Sequence, residues 1–195
     1  MANTSATGGY LEPAPTQPLD DDALLDFMQL IIRGITGLPG PMVRPAFQPD
    51  PAKRPGIAVD WCAFYISNNM PEAGHIYEKQ DANGLGSTTI RHETFDMRCS
   101  FYGPNSGKLA GRWRDGLEMA QNREPMSLNG MAYVSSSQMV KLGDLVDEQW
   151  YRRVDITTVF RRELNRRYEV LSFLQAQGQI ITETMTIDWA VGPEV

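Results

Sequence analysis

The chain has 195 residues, of which 42% are hydrophobic, and its formal net charge is -6. This length suits one substantial hydrophobic core. The negative charge argues against a dedicated nucleic-acid binder, whose affinity comes mainly from cations that neutralise phosphates, although an acidic chain can carry a local basic face.

The two cysteines, Cys62 and Cys99, lie in apolar strand patterns and are predicted to be small buried hydrophobic residues. Two cysteines make no disulfide framework in a chain of this length, which favours a reducing compartment. No apolar run reaches the ~20 residues of a membrane span, and the N-terminus lacks the basic-then-apolar order of a signal peptide. We therefore expect no membrane contact and assembly in the cytoplasm.

The N-terminal third begins with an arm and a helix. Residues 1–18 are rich in Gly, Thr, Ala and Pro, so they are predicted to form a flexible arm without a fold of its own. From Asp20 to Ile35, apolar residues recur on one helix face, with three aspartates at the positive end of the helix dipole. The glycines and prolines of residues 37–41 end this helix.

The middle of the chain reads as strands followed by a second helix. VDWCAFYIS has the density of a central strand, HIYEK could pair as an edge strand, and DANGLGS is predicted to be a loop tip. Thr89 to Tyr102 alternates apolar and polar residues, which predicts a long half-buried strand. After GPNS, Leu109, Trp113, Leu117 and Ala120 recur at the spacing of one helix face.

The C-terminal third is predicted to be mostly strand. A turn is expected over residues 124–129, and then MAYVSS, WYRRVDITTVFRREL and IITETMTIDW each read as a strand. The predicted fold class is α+β, with a mixed, mainly antiparallel β-sheet packed against two principal α-helices. The predicted organisation is an arm over residues 1–18, a single domain over 19–190 and a short C-terminal tail over 191–195.

No motif in the sequence carries recognisable catalytic chemistry. Neither His75 nor His92 has the spacing of a zinc site. Cys99 and His92 differ by an odd number of positions on one strand and so face opposite sides. The glycines lack the strand-to-helix context of a phosphate-binding loop. We expect no catalytic residue, no metal site and no cofactor.

The most concentrated positive feature is the run RRELNRRYEV, residues 161–170, joined by Arg152 and Arg153. One interpretation is a solvated strand end whose arginine stems cover apolar surface. A second is a contact surface for an acidic partner or for another copy of the same acidic chain. DNA binding is a third, less favoured because no aromatic platform is interleaved with the arginines.

Four segments resemble the neck or tail terminator proteins of contractile-tailed bacteriophages. They are LLDFMQLIIRGITGLPGPMVRPAFQP, DWCAFYI, RHETFDMRCSFYGPNSGKLAGRWRDGLEMAQNRE and YRRVDITTVFRRELNRRYEVLSF. The resemblance runs from about Leu19 to Trp189 and identifies a family without identifying a site.

The resemblance implies a structural virion protein of the phage neck, assembled in the host cytoplasm. Similar proteins form homo-oligomeric rings, usually hexameric, between the tail tube protein and the head-tail connector or collar proteins, and double-stranded DNA passes through the ring without specific binding. A ring needs heterologous contacts between different faces of neighbouring subunits. The candidate interface residues are Arg152, Arg153, Arg161, Arg162, Arg166 and Arg167 on the basic side and Asp144, Asp147 and Glu148 on the acidic side.

Two other classes of protein stay open at this point. One is another head-tail connector adaptor or a tail tube protein, which would polymerise or dock differently from a terminator. The other is a small hydrolase that uses Cys62 or Cys99, and such a nucleophile needs an accessible thiol with a low pKa.

Overall fold

The computed structural model describes residues 3–4, 6–14, 19–50, 52–72, 77–81, 86–146, 148–170, 176–181 and 185–191. Within these residues there are three α-helices and nine strands. The helices are α1 (Asp21–Thr36), α2 (Ser106–Gly116) and α3 (Ala120–Leu128). The strands are β1 (Val43–Pro45), β2 (Trp61–Pro71), β3 (Tyr77–Gln80), β4 (Ser87–Tyr102), β5 (Met131–Ser136), β6 (Val140–Val146), β7 (Gln149–Tyr168), β8 (Ala176–Ile181) and β9 (Thr186–Val191).

The first helix forms as its apolar spacing predicts. The buried positions of α1 are Leu24, Met28, Ile31, Ile32 and Thr36. The helix ends at Gly37, whose φ of 78° lies in the left-handed region, and the Gly37 N–H donates to the Arg33 carbonyl at 2.9 Å. Glycine adopts this backbone conformation without the steric cost that a Cβ brings, so it suits the end of the helix.

The main sheet is mixed and mostly antiparallel. In the described residues its strand order is β1-β2-β4-β7-β5, with β3 also paired to β4 and β6 to β7. β1 runs parallel to β2, while the β2–β4, β3–β4, β5–β7 and β6–β7 pairs are antiparallel. β8 and β9 form a separate antiparallel pair. The predicted α+β fold class is confirmed.

The hydrophobic core lies between one face of this sheet and the helices. Alternate residues of β4 point into it, as the sequence pattern predicted: Phe95, Met97, Cys99 and Phe101 are all buried. Trp113 of α2 is fully buried, and its Nε1 donates to Thr158 Oγ1 of β7 at 3.0 Å. The indole therefore fills the core and has its single donor satisfied.

The sequence pattern predicted one continuous helix to Ala120 and a turn over residues 124–129. This prediction was wrong. α2 ends at Gly116, where a Cβ would lie 2.4 Å from Cγ2 of Ile35, so α1 approaches too closely for a larger residue. The Asn122 side chain donates to the Gly116 carbonyl at 2.9 Å, and α3 follows. α3 contains Pro125, which disfavours a helix in sequence terms, but Met126 is fully buried and its packing outweighs that cost.

Two other regions also differ from the sequence interpretation. The segment IITETMTIDW is not one strand, since β8 ends at Ile181 and β9 begins at Thr186. β6 was not predicted, and β7 continues beyond Leu164 to Tyr168.

The chain divides into two compact units. The smaller comprises Met1–Pro18, His75–Ile90 and Asn165–Val195, and the larger comprises Leu19–Gly74 and Arg91–Leu164. All of the buried core described above belongs to the larger unit. In the smaller unit, the predicted arm contacts a strand at Ala14, whose N–H donates to the Arg167 carbonyl at 2.7 Å. The arm, single domain and tail of the sequence interpretation stay predictions.

Candidate subunit interface

The face of the sheet opposite the core, in the larger unit, is built around a buried carboxylate. Asp155 of β7 is 3% exposed and accepts hydrogen bonds from two arginines. Arg153 binds it through both carboxylate oxygens, at 2.6 and 2.7 Å, and Arg98 of β4 donates at 2.5 Å. Paired, charge-assisted hydrogen bonds of this kind satisfy a carboxylate that has lost its water.

The electrostatics of Asp155 combine two opposing effects. Burial by itself raises the pKa of the Asp155 carboxyl, but hydrogen bonds from Arg153, Arg98 and Ser100 outweigh it, and the pKa lies below its ordinary value. The hydrogen bond to Asp155 likewise raises the pKa of Arg153. Both groups are therefore charged at neutral pH.

An aromatic cluster that the sequence analysis missed adjoins this network. Trp61 and Tyr102 stack with their ring centroids 4.3 Å apart and an angle of 8° between the rings. The Arg54 guanidinium lies 4.2 Å from the Tyr151 ring centroid and 5.0 Å from that of Tyr102, within the range of cation–π attraction. Arg54 also pairs with Asp144 at 3.5 Å.

The predicted contact between the basic and acidic residues forms inside one chain. Arg153 Nη1 donates to Asp144 Oδ1 at 3.2 Å, and β6 carries Asp144 beside β7 through their antiparallel pairing. Asp144 thus has Arg153 and Arg54 as partners within its own subunit. Whether it also contacts a neighbouring subunit stays a prediction.

Arg162 is held inside the larger unit. Its side chain is 6% exposed, pairs with Glu93 at 2.7 Å and with Asp20 at 3.0 Å, and also donates to the Leu19 carbonyl. Arg162 has the same strand parity as the buried Phe160 and Leu164, and that parity was the sequence signal for its burial. The arginine links β7 to β4 and to the start of α1, which is a structural role.

The remaining predicted basic residues differ in how they are engaged. Arg161 is exposed and forms a bidentate pair with Glu72, at 2.5 and 2.9 Å. In the smaller unit, Arg167 pairs with Asp81 at 2.7 Å, and the Arg166 carbonyl accepts from Thr89 Oγ1 at 3.2 Å. Arg152 is exposed.

On the acidic side, Glu148 is exposed, and its φ of 61° places it in a tight turn between β6 and β7. Asp147 lies outside the described residues. Among the described interface candidates, Glu148, Arg152 and Arg161 are exposed, and Arg161 is paired with Glu72.

The same hairpin exposes large apolar side chains. Trp150 of β7 is 68% exposed and Leu145 of β6 is 58% exposed, and these two residues are direct cross-strand partners. Val140 and Leu142 of β6 are also exposed. We call residues 140–153 the β6–β7 hairpin. Exposed Trp and Leu side chains that adjoin one another are typical of protein contact surfaces.

The cysteines show no sign of a reactive site. Cys62 and Cys99 are both fully buried, and burial raises the pKa of the Cys62 thiol well above its ordinary value. His75 lies outside the described residues. Among the described residues, no group of three or more His, Cys, Asp or Glu side chains could hold a metal ion. None of the described helices is both long and apolar enough to cross a membrane.

The exposed apolar side chains of the β6–β7 hairpin are typical of a protein that assembles with other subunits. Residues 22–184 of the 195 match the family model described as phage neck terminator protein, and the chain belongs to that family. It is a structural protein of the phage neck, and its place is therefore in the virion. No curated protein matches the sequence.

Proposed function

We propose that this chain forms a closed ring, hexameric as in similar proteins, that caps the tail tube of a contractile-tailed phage. One side of the ring contacts the tail tube protein, and the other contacts the head-tail connector or collar proteins. The observation that carries the proposal is the family match over residues 22–184. A cap that stops tube growth must close on itself, because an open helical contact would continue the polymer.

The charge of the chain supports a lumen through which DNA passes without being held. Each copy carries a formal net charge of -6. Duplex affinity depends on releasing counterions from phosphates that cations neutralise, and an acidic wall provides little of that affinity. The DNA therefore moves through the ring during packaging and ejection without a specific contact.

The same charge favours assembly on a template. Six copies with the same net charge repel one another until complementary patches meet, so the free chain is monomeric or weakly associated. The N-terminal arm, residues 1–18, becomes fully ordered when the subunit docks on a tube end in the host cytoplasm. This timing prevents a preformed ring from capping a tube too early.

Addition of the purified chain to growing tails tests the proposal. Each tail should acquire one terminal ring and stop lengthening, while tails in buffer alone continue to grow, and both are counted by electron microscopy. A chain that instead polymerises into tubes is a tube protein, and equal growth with and without the chain contradicts the terminator role.

A truncated chain that begins at Leu19 tests the arm. Docking should weaken, whereas the thermal melt should stay almost unchanged, because none of the described residues of the arm belongs to the buried core of the larger unit. Unfolding of the truncated chain would show that the arm is part of the fold.

A further inference from the structure

The β6–β7 hairpin presents its apolar side chains in a fixed arrangement. A Cβ on Gly143 would lie 3.0 Å from Cε3 of Trp150, so the indole ring rests on the glycine backbone of the neighbouring strand. Trp150 and Leu145 stand side by side on this surface, both more than half exposed. A large aromatic side chain that is held in place loses little conformational entropy on binding, and Trp is the residue type most often found at interface hot spots.

The larger unit also carries a groove on its surface. It lies between the C-terminal half of α1 and α2, has a volume of about 780 Å³, and is open to solvent. We call it the α1–α2 groove. Ligand pockets of about 300–1,000 Å³ enclose whole drug-sized molecules, so the groove has room for a Trp and a Leu side chain together.

Two of the residues that line the α1–α2 groove are helix glycines with open space around them. Gly34 lies inside α1 and Gly111 inside α2, and a Cβ on either would meet nothing within 4 Å. The packing of the described chain therefore does not require these two glycines, although glycine is a poor helix former. Because these two glycines have no side chain, another surface can closely approach the helix backbone there.

The turn of the hairpin and the cations of the groove have opposite charges. Lys108 and Arg112 line the groove. Asp115 lines it too, but its carboxylate accepts from Arg114 Nε at 2.8 Å. The turn of the hairpin carries Glu148, which is exposed, next to Asp147 in the sequence. The acidic Glu148 and the apolar Trp150 and Leu145 of the hairpin thus complement the cations and the open glycine positions of the groove.

We propose that the β6–β7 hairpin of one copy docks in the α1–α2 groove of a second copy. The two surfaces share no residue, so this contact is heterologous and repeats from subunit to subunit, as a ring requires. The inference rests on the proposed ring function, since it supplies the contact between neighbouring subunits. Trp150 and Leu145 occupy the groove, and Glu148 pairs with Lys108 or Arg112 at its edge.

Filling the groove provides a test that spares the fold. Gly111→Leu places a side chain in the groove, and Gly107→Leu is its matched control, because Gly107 also lies in α2 with open space at its Cβ but does not line the groove. Gly111→Leu should weaken self-association at least about tenfold while leaving the thermal melt unchanged or raised. Gly107→Leu should associate like the wild type.

Removing the Trp150 side chain from the hairpin should weaken self-association in the same way as filling the groove. Trp150→Ala should also weaken self-association at least about tenfold, because it removes the proposed hot spot. Lys108→Glu serves as a second groove variant, and combining it with Glu148→Lys should restore association that each change weakens alone. Sedimentation velocity over a concentration series, with tail tubes present and absent, measures all of these variants.

Mixing the two blocked variants identifies the contact as head-to-tail. Gly111→Leu keeps an intact hairpin and Trp150→Ala keeps an intact groove, so an equimolar mixture should form dimers and nothing larger. Neither variant alone should form them. Homodimers of either single variant at the wild-type concentration would overturn the inference.

The outcomes separate this inference from the proposed function. If wild type and both variants close rings equally well, the docking contact is wrong and the ring stands. If wild type forms open chains that both variants abolish, the docking contact is supported and the closed ring is contradicted. Wild type that stays monomeric at every concentration and on tube ends overturns both.

Discussion

The two faces of β4 and β7 in the larger unit use opposite kinds of stabilisation on the same strands. On β4, Met97 and Cys99 point into an apolar core, whereas Arg98 between them reaches the buried Asp155 on the other face. The core face is held by non-directional packing around Trp113. The opposite face is held by directional ion pairs and ring contacts, which depend on each partner being present. The difference teaches that a strand with a clean alternating pattern can be closely packed on both sides.

The largest expected effect is on the core face. Trp113→Ala removes a fully buried indole and its hydrogen bond to Thr158, so the free energy of unfolding should fall by about 3–5 kcal/mol. Trp150→Ala is the matched control, because Trp150 is 68% exposed and its loss should hardly change stability. Urea denaturation of both variants measures the difference. Equal midpoints would show that Trp113 does not anchor the core.

The second prediction concerns the opposite face. Asp155→Asn keeps the shape of the side chain but leaves Arg98 and Arg153 without their shared carboxylate, so unfolding should become about 2 kcal/mol easier. Both arginines keep some access to water, which holds the effect below that of the Trp113 change. Glu72→Gln, in an exposed pair with Arg161, should cause no measurable change in the same denaturation experiment. A larger effect at Glu72 than at Asp155 would refute this ranking.

The third prediction is that acid weakens the charged face selectively. The folded state holds the pKa of Asp155 below its ordinary value, which is about 3.9 in an unfolded chain. A lowered folded pKa stabilises the protein above the unfolded pKa, and this contribution disappears as the pH falls through the folded pKa. The stability difference between wild type and Asp155→Asn should therefore stay constant from about pH 7 to 5 and shrink below about pH 4. A difference that grows in acid would contradict the role of the ionised carboxylate.

The smallest predicted effect is at the cysteines. Cys62→Ala or Cys99→Ala should cost about 1 kcal/mol of stability from the lost buried atoms and leave assembly intact. In the folded wild type, both thiols should react slowly with a thiol reagent, since both are buried and burial raises the pKa of Cys62. Rapid labelling accompanied by loss of assembly would instead favour a functional thiol.

The core face could be predicted from the sequence, because periodicity directly reports which residues are removed from water. The alternation in β4 and the spacing of Leu109 and Trp113 in α2 are such signals. The helix α3 could not be predicted, since Pro125 disfavours it locally and only the burial of Met126 reveals its reason. In α3, tertiary packing therefore outweighs the low helix propensity of the local sequence.

The candidate interface was less predictable, because charge in a sequence does not show where its partner lies. Arg153 and Asp144 read as complementary surfaces of two subunits, yet β6 and β7 bring them together within one chain. Arg162 reads as solvated, yet its pairs with Glu93 and Asp20 satisfy it in the interior. The exposed Trp150 could not be recognised either, since a tryptophan in an alternating strand is ordinarily a core residue.

The order of the central strands has a kinetic consequence. β4 and β7 are neighbours in the sheet, but α2, α3, β5 and β6 separate them along the chain. The ribosome must therefore release most of the chain before the sheet can close, and until then the edge of β4 that pairs with β7 has no strand beside it. Pairings between distant parts of a chain slow folding, and partly folded chains with exposed apolar strands tend to aggregate. We expect the subunit to fold after synthesis rather than during it, and its yield to depend more steeply on growth temperature than that of a helical bundle of equal length.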